Sequence, residues 1–124
     1  MKYLLLLLLL ASGSAMAHEL TPTYPKLTPS HVPGVLSATV VLWNAREEIE
    51  WYKVEVFDKD MNPVKFIALG GELKKVDYLG RAHIEVFIRD EDKVNATFIC
   101  TQSKIKKGSE QRSLVESKVC SKLK

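Results

Sequence analysis

Cys100 and Cys120 are the two cysteines of a 124-residue chain, and their type and spacing bound the chemistry available. If the chain is exported, as its first residues are read below, an even count argues for one intramolecular disulfide. Closing a loop of this length would stabilise the fold by about 3 kcal/mol, by restricting the unfolded chain. The pair lacks the close spacing of zinc ligands, and no Cys-x-x-Cys motif is present to activate a thiol. Three histidines offer a second chemistry. If the chain is cut after Ala17, His18 carries a free α-amine, which with its own Nδ1 can chelate Cu(II); His31 or His83 could then complete a nitrogen set. The acidic runs Glu47-Glu48 and Asp90-Glu91-Asp92 have neither glycosidase-dyad nor calcium-loop spacing. No serine or cysteine sits in a nucleophile motif, so the expectation is a protein that is not an enzyme and needs no cofactor, copper being the exception to test.

Binding is the other chemistry that these side chains could support. Trp51 and Phe87 fall on the polar side of alternating segments, where they either fill the second side of the fold or form an exposed aromatic patch for a partner. Lys104, Lys106 and Lys107 open a basic C-terminal end. Residues 101–124 hold seven basic and two acidic side chains, whereas residues 18–100 hold ten basic and thirteen acidic ones. Without Lys2 the totals are 17 basic and 15 acidic, too even to argue for nucleic acid. A basic end suits contact with an anionic lipid, glycan or protein.

The elements that must carry these residues read as strands. Four prolines between residues 22 and 33 forbid a helix there and leave at best an edge strand. Residues 35–43 are rich in β-branched and aromatic side chains and predict a strand. In residues 51–57, Tyr52, Val54 and Val56 alternate with Lys53 and Glu55, as in a strand with one face in a core. An Asp/Asn/Pro turn at 58–63 precedes short strands at 64–69 and 72–79. Residues 81–89 alternate most cleanly, with Ala82, Ile84, Val86 and Ile88 facing one way. A strand over 94–102 with Ala96, Phe98 and Cys100 on one face, and a last strand over 111–120, complete the set. Short strands at this spacing fit an all-β, antiparallel β-sandwich.

Residues 1–17 combine Lys2, seven consecutive leucines over 4–10 and Ala15-Met16-Ala17, the pattern of a secretory signal peptide. The apolar run is shorter than the roughly 20 residues a membrane span needs, and nothing later resembles a transmembrane anchor. A mature domain of residues 18–124 in the periplasm or outside the cell is therefore expected.

The order Pro29 to Gly34, 39–44 (Thr-Val-Val-Leu-Trp-Asn), 52–58 (Tyr-Lys-Val-Glu-Val-Phe-Asp) and 84–88 (Ile-Glu-Val-Phe-Ile) resembles the immunoglobulin-like domain at the N-terminus of periplasmic pilus chaperones. The likeness spans about residues 27–102. It implies a single immunoglobulin-like sandwich and a chaperone-like role in the envelope, binding an envelope or surface protein through strand edges. Chaperones of that family grip the C-terminal carboxylate of a pilus subunit with an early arginine and a later lysine, and complete the cleft with a second domain. The first arginine here is Arg46.

Overall fold

The computed structural model describes residues 18–104 and 116–124. The expected leader (1–17), the start of the last predicted strand (111–115) and the candidate binding residues Lys106 and Lys107 lie outside the described residues. Nine strands are described: β1 (Glu19–Thr21), β2 (Thr28–Pro29), β3 (Val35–Trp43), β4 (Trp51–Phe57), β5 (Ile67–Ala68), β6 (Leu73–Lys75), β7 (Arg81–Arg89), β8 (Phe98–Lys104) and β9 (Lys118–Lys122). They form two antiparallel sheets, one ordered β1-β3-β7-β5 with β2 also on β3, the other β6-β4-β8-β9.

β3, β4 and β7 occupy the stretches expected of them, because alternation of apolar and polar residues is a direct image of a sheet with one wet face. Their inward residues meet between the sheets. Val40 and Leu42 from β3, Ile84, Val86 and Ile88 from β7, and Tyr52, Val54 and Val56 from β4 are all buried. Each aliphatic side chain of this kind contributes about 1.5–3 kcal/mol by leaving water.

Two expectations change. The segment read as one strand over 64–69 crosses between the layers. Val64 N–H donates to Val56 O in the second sheet at 2.9 Å, whereas Ile67 and Ala68 pair with Phe87 and Val86 in the first. A period-two pattern cannot report a change of sheet, since both halves remain extended. β8 begins at Phe98 rather than 94, so Ala96 is not part of it; Phe98 and Cys100 share a face as expected, and the inward side is Ile99, Thr101 and Ser103. Register explains this: Val54 lies opposite Thr101 and Val56 opposite Ile99, and directly opposed residues share a face. Phe98 and Cys100 therefore lie on the outer side, and Ala96 is buried in the preceding turn.

The turn after β4 is held by its own side chain. Asp58 accepts hydrogen bonds from the N–H groups of Asp60 and Asn62, both at 2.8 Å, which hold its carboxyl below the usual carboxylate range. No helix among the described residues is long and apolar enough to cross a membrane.

Candidate interaction site

β9 is an edge strand of the second sheet, and its pairing with β8 places Cys120 directly opposite Cys100. The two sulfurs are bonded, so the expected disulfide is present and rivets the edge strand to its neighbour from the outer side. Hydrogen bonding alternates along this ladder. Ser103 N–H donates to Ser117 O at 2.8 Å and Leu123 N–H to Thr97 O at 2.7 Å, which makes the Cys100–Cys120 rung one of the non-bonded pairs. The backbone groups of Lys118, Cys120 and Lys122 consequently point away from β8. Lys122 N–H is used by Thr23 O at 2.9 Å, and further on Lys124 N–H by Pro25 O at 3.0 Å. His18 reaches Ser117 on the same side and β1 lies against β9, so the lead-in 18–25 flanks this outer side of β9, whereas β6, at the other end of the sheet, has β4 on one side only.

Beneath β9 sits His18, only 2 % exposed. Its Nε2 lies 3.0 Å from the Thr101 carbonyl, which can only accept, so Nε2 carries the proton; Thr101 Oγ1 lies 2.7 Å from the same nitrogen. Nδ1 is left to accept from the Ser117 hydroxyl at 3.1 Å. Tyr52 packs against the ring with centroids 4.6 Å apart. Burial pushes the imidazole pKa down to about 4, against the Thr101 carbonyl, which favours the charged ring, and with help from the nearby Arg46. His18, just before β1, thus bonds to β8 and to Ser117, the residue before β9. Using Nδ1 to bind copper would break its bond to Ser117.

His31 and His83 are exposed and sit elsewhere, His31 in the loop before β3 and His83 opposite Val41 in the first sheet. No group of three or more histidine, cysteine or acidic side chains among the described residues is placed to hold a metal. Nothing in this arrangement favours the copper reading.

Behind His18, Asn44 organises a buried polar knot that sequence reasoning missed. Its Nδ2 donates to the carbonyls of Ile49 at 2.6 Å and Val76 at 2.8 Å, while Oδ1 accepts from Arg46 N–H at 2.9 Å and from the Tyr52 hydroxyl. Burial pushes the Tyr52 pKa up to about 12, so its phenol stays protonated and donates. An asparagine directly after an apolar strand was the available signal, although a surface turn gives the same pattern.

The candidate partner residues divide between two faces. Trp51 lies on the outer face of the second sheet, between Lys75 of β6 and Lys104 of β8. Phe87 lies on the outer face of the first sheet, between Ser37 and Ile67, and borders surface hollows of about 250 and 370 Å³. The sandwich therefore joins Trp51 with Lys104 and separates both from Phe87. Lys53 and Lys118, which flank Gln102 on the next row of that face, had no distinguishing signal in the sequence.

No protein-family model and no curated protein matches the chain. Solved structures do. The E. coli chaperone DraB superposes with a TM-score of 0.65 at 16% identity, over 86% of this chain and 53% of its own. A structure of the Salmonella enterica SafA pilin in complex with the SafB chaperone gives 0.63 at 13% identity, over 90% and 55%. The chain spans about half the length of each. The fold is an immunoglobulin-like β-sandwich similar to that of pilus chaperones, as the strand pattern of the sequence implied.

Proposed function

We propose that this protein is an exported, non-enzymatic binding module of the bacterial envelope, chaperone-like in action, which captures an extended segment of a partner protein by β-strand addition along the β6 edge. The observation that carries this reading is the edge strand β6: Val54 N–H donates to Glu72 O and Val76 N–H to Glu50 O, so the backbone groups of Leu73 and Lys75 point away from β4. A strand edge provides main-chain hydrogen bonds to any extended segment, and side-chain pockets then select among sequences. The likeness to DraB and to the SafB complex supports the same role, as does a disulfide suited to an oxidising compartment. Export would remove residues 1–17. Intact mass of the secreted protein should then begin at His18 and rise by two hydrogens on reduction.

Capture from a native envelope extract tests the function. Wild-type protein should retain a defined partner, and Lys75→Pro should lose it while keeping its thermal transition, because the N–H removed points away from β4. A protein that stays monomeric and partnerless at every salt concentration would overturn the proposal.

A further inference from the structure

We propose that the outer face of the β6-β4-β8-β9 sheet docks on an anionic lipid surface. Cross-strand register builds this face from residues far apart in sequence. One row reads Lys75, Trp51, Lys104; the next reads Leu73, Lys53, Gln102, Lys118; Lys122 stands beyond them beside Phe98. These side chains must point outward, since the alternate set of Tyr52, Val54, Val56 and Ile99 fills the core.

Charge on the two outer faces differs. In the first sheet Arg81 and Arg89 share the face with Glu19 and Glu85, and Arg89 is paired to Glu91 at 2.8 Å and Asp92 at 3.2 Å. In the second, Glu55 on β4 and Glu116, which accepts from Gln102 Nε2 at 3.0 Å, stand against Lys53, Lys75, Lys104, Lys118 and Lys122, and none of these lysines is ion-paired among the described residues. Lys118 reaches over the Phe57 ring, 4.5 Å from its centroid. Unneutralised lysines on one sheet face produce a positive field that a negative partner would complete.

The apolar members select the kind of anion. Trp51 is half-buried between two lysines, and Leu73 beside it is 54% exposed. A tryptophan ring settles at the headgroup level of a bilayer, where lysines meet lipid phosphates, so this row matches a lipid interface on both counts. The disulfide lies in the same face and fixes the β9 lysines relative to Trp51. Lys53 and Lys104 lie on the inner strands β4 and β8 and contribute no backbone group to the β6 edge, so partner capture should survive the charge changes below.

Vesicles of phosphatidylcholine, with and without phosphatidylglycerol, test this on the oxidised protein. Trp43→Phe leaves Trp51 as the one tryptophan. The expected result is sedimentation with phosphatidylglycerol vesicles alone, release by salt, a blue shift of Trp51 emission and its quenching by brominated acyl chains. Lys53→Glu with Lys104→Glu should weaken binding by a factor of about ten or more, and Arg81→Glu on the opposite face should leave it unchanged. Melting curves confirm that the variants are folded. Equal binding to both vesicle types, no binding, or indifference to Lys53→Glu with Lys104→Glu would overturn the proposal. Preferential binding to a sulfated polysaccharide would overturn it in favour of a glycan surface.

Discussion

Asn44 satisfies every polar atom of its amide inside the protein, and this makes it hard to replace. In Asn44→Asp the two donors become a carboxylate oxygen facing the Ile49 and Val76 carbonyls. Leaving buried acceptors unpaired beside a buried charge costs about 3 kcal/mol or more. Chemical denaturation should show a loss of that order, with Asn44→Ala less severe. His18 carries a pH dependence. Its folded pKa of about 4 lies below the ordinary imidazole value of 6.5, so between those values the unfolded chain binds a proton that the folded ring refuses. Stability is therefore fully present above pH 6.5 and falls as pH drops toward 4, by up to about 3 kcal/mol. Urea midpoints measured from pH 7 to 4 should trace this slope, and His18→Ala should flatten it. Ser121 is the opposite case to Asn44, a buried hydroxyl with no partner among the described residues. Ser121→Ala removes an unsatisfied group and should leave the melting temperature equal or higher.

At the scale of elements, the β8–β9 pair depends on a covalent bond as well as a ladder. Cys100→Ser with Cys120→Ser should cost about 3 kcal/mol by the loop-closure argument. Hydrogen exchange should show the loss first in β9, which has a neighbouring strand in its sheet on one side only. How well each element could be read from sequence followed its environment. β3, β4 and β7 have one buried and one wet face, and alternation located them to the residue. β8 has apolar side chains on both sides, because Phe98, opposite Lys122, and Cys100, bonded to Cys120, lie on the outer side while Ile99 enters the core. Its inward side could not be chosen from pattern alone. The crossing at 63–69 was equally invisible, being decided by which strand edge each half meets.

Over the whole molecule, the pairings join distant parts of the chain, Leu36 with Ile88 and Val54 with Thr101 among them. Such topology must close long loops before any contact rewards it. Stopped-flow refolding of the oxidised chain should consequently fall in the range of roughly milliseconds to seconds. The same distant pairings determine the surfaces. A basic C-terminal end was plain from composition, but Lys53 and Lys75 join Lys104 and Lys118 only because β4 and β6 lie beside β8 and β9. The sequence by itself determined the strand class, the main strand limits and the pairing of its two cysteines, since these depend on local alternation, residue type and count. Tertiary structure alone decided that His18 is buried with both ring nitrogens engaged, and that Trp51 stands among lysines while Phe87 faces the other way. Such neighbours are set by inter-strand register and by the stacking of two sheets, and neither leaves a periodic trace in the order of residues.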